Sequence, residues 1–186
     1  MRRLVLPAIL IVVSGCSQLP HTNTNETVEP TGRILRHGVF SKVSGGDVIA
    51  STETTTGKAL SKLVMTFIRE TDRIPIKKDT IIGYQYRLSN LPDVPTVELR
   101  RVLQHPPFTL PDGSVTTGSD YTIRKRVEHR EVFAYDVYAL NEDYEMVEGA
   151  WNFQIWHRDK LLLERKFTTY HESETKAGNE KPSGGQ

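Results

Sequence analysis

Three sets of residues in this 186-residue chain have types that could do chemistry, and their spacing decides what each can do. Six histidines (His21, His37, His105, His129, His157 and His171) could ligate a metal or carry protons. No two sit at a spacing that places them together on one helix or strand face, so a metal site would have to be assembled from distant segments. Glu142, Asp143, Glu145 and Glu148 crowd four carboxylates into one short run. The run lacks the alternating oxygen ligands and central glycine of a calcium loop, and it reads as a solvated loop before Gly149. Thr52-Glu53-Thr54-Thr55-Thr56-Gly57-Lys58-Ala59 has the outline of a phosphate-binding loop. It has Thr52 where the loop needs glycine and Ala59 where it needs a magnesium-binding hydroxyl, so nucleotide binding is rejected. A glycosidase needs two carboxylates facing one cleft, but carboxylates are plentiful here and discriminate nothing. No Gly-x-Ser-x-Gly elbow is present. These tests leave a hydrolase only as a distant alternative, with no catalytic residue, metal or cofactor to name.

Two further groups suit binding. Arg124, Lys125, Arg126 and Arg130, with His129 among them, lie in one strand-like run. They could gather into a patch for an anionic glycan or a lipid headgroup. The competing reading is that they blunt an exposed sheet edge against aggregation, and Glu128 and Glu131 dilute their charge. Trp156 shares the phase of Asn152 and Gln154, so it points away from the core that holds Trp151. An outward tryptophan can stack on a sugar or anchor a partner protein; it can equally cover a flank of the core.

Cys16, the single cysteine, carries the most specific signal. Arg2 and Arg3 precede an apolar stretch over residues 4–13, and small residues Ser14 and Gly15 follow before the cysteine. These are the parts of a secretory signal. The stretch is too short for a hydrocarbon layer that needs about 20 residues. Val13-Ser14-Gly15-Cys16 resembles the lipobox of bacterial lipoproteins, in which the cysteine is lipidated and becomes the first mature residue. Each buried acyl methylene contributes about 0.8 kcal/mol, so several chains anchor durably. By the same resemblance, Ser17 rather than Asp after the cysteine favours the outer membrane, with the protein facing the periplasm.

The elements that must position these residues follow from composition. Removing residues 1–15 takes away Arg2 and Arg3 and moves the formal net charge from +1 to −1, which argues against a nucleic-acid partner. With one cysteine, no intramolecular disulfide can form, and stability rests on an apolar core that a chain of this length can build. Residues 16–31 comprise the lipidated cysteine and a stretch too poor in aliphatics to offset its ordering entropy. They read as a disordered tether reaching roughly 50 Å when extended. Residues 171–186 read as a disordered tail, and residues 32–170 as one domain.

That domain is written in strands. Runs rich in Val, Ile, Thr, Tyr and Phe recur at 33–40, 63–70, 81–88, 96–103, 122–138 with a break, 151–157 and 161–169. In 151–157, Trp151, Phe153 and Ile155 alternate with amides and belong on one buried face. Leu161, Leu163 and Phe167 share one phase of the next run. Residues 56–66 are the best helix candidate, weakened by Gly57 and by β-branched residues. Seven or so strands between turn clusters predict an all-β, immunoglobulin-like antiparallel sandwich, with a small barrel as the alternative.

Gly149-Ala150-Trp151-Asn152-Phe153-Gln154-Ile155-Trp156, followed by Leu163-Glu164 and Phe167, resembles the end of an uncharacterised bacterial immunoglobulin-like domain family. Thr71-Asp72-Arg73-Ile74-Pro75 and Ile82-Gly83-Tyr84-Gln85-Tyr86 resemble its middle, and Asp79 departs from it where a glycine is expected. The resemblance implies a sandwich over roughly residues 32–169 and no particular reaction. The expectation is a lipid-anchored envelope protein whose domain is a non-enzymatic binding or assembly module, its partner an envelope protein or a glycan.

Overall fold

The computed structural model describes residues 28–44, 47–50, 58–61 and 64–172. Cys16, the signal-like segment, most of the tether, residues 52–57 of the phosphate-loop look-alike and nearly all of the tail lie outside them.

The strands are β1 (Thr31–Ser44), β2 (Asp47–Ala50), β3 (Lys58–Ser61), β4 (Val64–Glu70), β5 (Arg73–Pro75), β6 (Thr80–Ser89), β7 (Thr96–Thr109), β8 (Val115–Arg126), β9 (Val132–Leu140), β10 (Gly149–His157) and β11 (Lys160–Tyr170). They form a four-stranded sheet in the order β4-β1-β6-β9 and a five-stranded sheet in the order β5-β11-β10-β7-β8. β2 and β3 make a separate hairpin. All pairings are antiparallel except that of the three-residue β5 with β11.

The core lies between the two larger sheets and follows the period-two rule. β6 contributes Ile82, Tyr84, Tyr86 and Leu88, while β10 contributes Trp151, Phe153 and Ile155. Tyr84 and Phe153 meet across the interface with ring centroids 6.2 Å apart, and Phe153 meets Phe167 edge-on at 5.4 Å. The Trp151 indole N–H, fully buried, donates to Thr169 Oγ1 at 3.2 Å, and that hydroxyl donates to the Val147 carbonyl at 2.7 Å.

Several turns do what their residues allow. Gly113 takes φ +87° in the Pro111-Asp112-Gly113 turn, where Asp112 also accepts from the Ser114 amide at 2.9 Å. His157 and Lys160 pair across the two-residue turn that joins β10 to β11. Asp79 sits at φ +65°, so the position where glycine was expected does need the left-handed region, and an aspartate fills it.

Three expectations are corrected. Part of the helix candidate over 56–66 is strand: Lys58–Ser61 and Val64–Glu70. The register slips between Ile155 and Trp156, so Leu163 stays buried while Leu161 turns outward beside Trp156 and is 38% exposed. The acidic run is not wholly solvated. A short 3-10 turn, Asp143–Glu145, buries the Glu145 carboxylate, which accepts from the amides of Asn141 (2.7 Å) and Glu142 (2.9 Å) and from Tyr138 Oη (2.7 Å).

Candidate binding faces

The outer face of the five-stranded sheet carries most of the residues expected to bind. Asn152, Gln154 and Trp156 of β10 lie opposite Gln104, Val102 and Arg100 of β7. Asn152 Nδ2 donates to Gln104 Oε1 (3.3 Å) and to Glu164 Oε1 (3.0 Å), and Gln154 Nε2 donates to the same Glu164 oxygen (2.8 Å). The Trp156 indole N–H donates to Gln154 Oε1 at 3.0 Å. The result is a ladder of amides around one carboxylate, ending in a half-buried indole. Hydrogen bonds from Gln154 and then Asn152 hold the Glu164 carboxyl below the usual carboxylate range. Asn152 Oδ1 is buried without a hydrogen-bond partner.

The basic residues do not converge beside this ladder. Arg124 pairs with Glu98 (2.8 Å), Arg126 with Glu128 (3.4 Å), and Arg100 lies bidentate on Asp120 (2.7 and 2.5 Å). Lys125 has the inward phase, opposite buried Val97. Arg130 stands in the turn before β9 at φ +63° and donates to the Leu91 carbonyl at 3.0 Å. Trp156 and Arg124 therefore share one face, while Arg130 belongs to a turn elsewhere. The described arginines of β8 are largely neutralised in place, the arrangement an edge strand uses against misassociation.

The outer face of the four-stranded sheet presents a different surface, which the sequence reading missed. Phe133, Tyr135, Val137 and Ala139 of β9 take the outward phase opposite Arg87, Gln85, Gly83 and Ile81 of β6. Phe133 is 64% exposed and Tyr135 41%. Gly38 and Gly83 pair at the middle of this face at φ +128° and +149°. A Cβ on Gly83 would lie 2.1 Å from the Asp136 carbonyl oxygen. With no side chain on Gly83, the ring of Tyr135 reaches across to Phe40, edge-on at 5.9 Å, while its hydroxyl accepts from Gln85 Nε2 at 2.9 Å. Phe67 of β4 meets Phe40 from the other side at 5.4 Å, and the Arg36 guanidinium lies 5.5 Å above Phe67. Arg33 and Arg87 face each other across β1 and β6, with Arg87 paired to Glu131.

The phase of β9 is set from inside. Asp136, 4% exposed, accepts from Arg101 Nε at 2.5 Å and from Tyr84 Oη at 3.3 Å. Arg101 belongs to β7 in the opposite sheet, and its Nη1 donates to Tyr121 Oη at 3.2 Å. Burial alone would lower this guanidinium's affinity for its proton, but Asp136 beside it, aided by Tyr121, holds it above its ordinary value. Burial, reinforced by Asp136, pushes the Tyr84 phenol upward. The charged pair ties the two sheets together and shares the inward phase of β9 with Val132, Tyr138 and Leu140, which leaves Phe133 and Tyr135 on the outward phase. Alternation over residues 132–138 would reveal two phases, but nothing local says that the phase with the aspartate is the buried one.

The histidines scatter. His37 of β1 lies 3.2 Å from Glu70 and touches Arg165, itself bidentate on Asp72 (2.8 and 2.6 Å). His105 is stacked on Phe108 at 4.3 Å, and its Nδ1–H donates to the Pro106 carbonyl at 2.8 Å. Among the described residues, no three His, Cys, Asp or Glu side chains are placed to hold a metal ion. Nor is any described helix long and apolar enough to cross a membrane.

Two packed sheets, with a core of alternating inward residues and functional potential on their outer faces, define an immunoglobulin-like β-sandwich. A solved immunoglobulin-like protein from Pseudomonas aeruginosa is similar in fold: 22% sequence identity, 75% of this chain and 96% of that one covered, TM-score 0.51. The chain belongs to DUF3859, a domain family of unknown function, whose profile matches residues 29–169. No curated protein matches it.

Proposed function

We propose that this protein is a lipid-anchored bacterial envelope protein, held at Cys16, whose sandwich is a non-enzymatic contact module presented to the periplasm from the outer membrane. The observation that carries the module reading is the aromatic outer face of the four-stranded sheet. Phe133 and Tyr135 stand in solvent at 64% and 41% exposure on a rigid sheet, where contiguous apolar surface marks an interaction site. The anchor reading is supported by the order of the first sixteen residues: two arginines, an apolar stretch, small residues, then cysteine. Fractionation with and without globomycin tests the anchor. A larger precursor should accumulate under the drug, and Cys16→Ala should leave the membrane pellet; a chain indifferent to both is not lipidated. Crosslinking in intact envelopes from a photoreactive residue at position 133 tests the module: it should give discrete adducts that are lost when Tyr135→Asp is added, and no adducts at all would sink the module reading.

A glycan-binding reading is favoured by one observation, the ladder from Gln104 to Trp156. Amides and a carboxylate on a flat sheet, ending in an indole, can match sugar hydroxyls and stack on a ring. Trp156→Ala should then weaken co-sedimentation with peptidoglycan at least tenfold. Unchanged sedimentation would sink this reading and leave the first standing.

A further inference from the structure

We infer that the aromatic face of the four-stranded sheet rests on an anionic lipid surface, the one to which the chain is tethered. This rests on the anchored contact module proposed above, and it names the occupant of that face. Three observations select a membrane over a protein. Charge comes first. The exposed aromatics Phe133 and Tyr135 share their face with Arg33, Arg36 and Arg87; of the described acids there, Glu131 is committed to Arg87, and Glu70, opposite Gly38 on β4, lies 3.2 Å from His37. Neither Arg33 nor Arg36 has an ion-pair partner among the described residues, and the Arg36 guanidinium lies over the ring of Phe67 with its charge unneutralised. Aromatic rings beside unneutralised arginines suit the boundary between acyl chains and phosphate, because the rings enter the apolar layer while the guanidinium groups bind phosphate oxygens.

The path of the chain is the second observation. β1 begins at Thr31, opposite Ser89, and two residues later Arg33 lies opposite Arg87, which lies opposite Phe133. The segment linking Cys16 to the fold thus joins the sheet at the end where the exposed phenylalanine stands. A lipid on Cys16 raises the local concentration of membrane around that end first, and a weak surface contact becomes an intramolecular one.

The third is the opposite face. The outer side of the five-stranded sheet has its arginines closed onto Asp120, Glu98 and Glu128. It offers no comparable positive surplus, so the molecule has one face suited to lipid and one suited to water.

The test uses the full chain, recovered from bacterial membranes and reconstituted into vesicles of phosphatidylethanolamine and phosphatidylglycerol with brominated acyl chains. Bromine quenches nearby tryptophan. The native Trp151 is in the core and Trp156 is on the far face, so the native chain should show little quenching. Phe133→Trp places an indole at a tolerant, exposed position. It should add an emission component that is blue-shifted and mostly lost in the brominated vesicles. Adding Arg33→Glu and Arg36→Glu to that variant should restore the emission, as should vesicles without phosphatidylglycerol. A Phe133→Trp emission unchanged by bromine, in a chain that still floats with the vesicles, overturns the lipid-facing reading while leaving the anchor intact. Equal quenching of the native chain overturns it as well, because the domain then has no preferred face. A chain that does not float with the vesicles contradicts the anchor, and this inference with it. Crosslinking from position 133 that captures a protein instead of lipid hands the face to a protein partner.

Discussion

On the outer face of the five-stranded sheet nearly every polar group has found a neighbour: amides close on Glu164, and arginines close on Asp120, Glu98 and Glu128. On the outer face of the four-stranded sheet, two large rings stand in water and Arg33 has no acid beside it among the described residues. Both faces are made of extended strands with period-two alternation, so secondary structure does not separate them. The separating element is in the core. β10 buries Trp151, Phe153 and Ile155 and exposes amides, the ordinary outcome for a half-buried strand. β9 buries Val132 and Leu140 in the ordinary way but at its centre buries Asp136, paired with Arg101 of the facing sheet, and exposes Phe133 and Tyr135. The buried pair thus sits in the phase opposite the exposed rings, with Val132 and Leu140 on its side of the strand.

The sharpest way to break this contrast is to remove the pair. Asp136→Ala leaves Arg101 buried and unpaired, and should lower stability by about 3–5 kcal/mol in urea denaturation. The double variant Arg101→Met/Asp136→Leu should regain most of that loss. A single variant as stable as wild type would mean that β9 holds its phase without the charge. A smaller effect is expected at Gly83. Alanine there brings a Cβ within 2.1 Å of the Asp136 carbonyl and strains a φ of +149°, costing about 1–3 kcal/mol by thermal melt. The same change should displace Tyr135 from Phe40 and alter the tyrosine signal in near-ultraviolet circular dichroism.

The polar face should yield less. Glu164 is held below its ordinary 4.5, so its carboxylate contributes stability that is present above that pH and lost as pH falls through the lower folded value. Glu164→Gln should flatten that stretch of the pH–stability curve by less than ~1 kcal/mol, because the group is exposed and screened. A steeper dependence would show that the ladder is more buried than its geometry implies. The smallest effect belongs to Phe133→Ser, within about 0.5 kcal/mol of wild type on equilibrium unfolding. A clear gain or loss there would show that the exposed ring serves folding rather than contact.

What the sequence made legible was whatever depends on near neighbours. The alternation of Trp151, Phe153 and Ile155 located β10, its core face and the outward phase of Trp156. The short gap between the runs 151–157 and 161–169 agrees with the tight turn that joins β10 to β11. The wish for a glycine at 79 detected a left-handed position. What stayed hidden depends on partners far along the chain. Asp136 is buried for the sake of an arginine 35 residues away in the other sheet, and no window of sequence contains both. Leu161 left the core phase through a single slipped pairing, which periodicity cannot register. The basic run looked like a patch because Glu98, the acid that takes Arg124, lies on a neighbouring strand. Glu145 is the exception: its amide partners are only three and four residues away, but an acidic composition does not show that a turn folds one carboxylate inward.

β1 lies inside its sheet, between β4 and β6, and pairs with one or the other from Thr31 to Ser44. A pull arriving from the N-terminal side at Thr31 runs along the strand axis, while the ladder hydrogen bonds run across it. The bonds on both flanks then share the load and must slide together, so the strand cannot be unzipped one residue at a time. A domain moored through that strand should be mechanically stronger than its thermal stability suggests, and it should give way last at the point where it is tied.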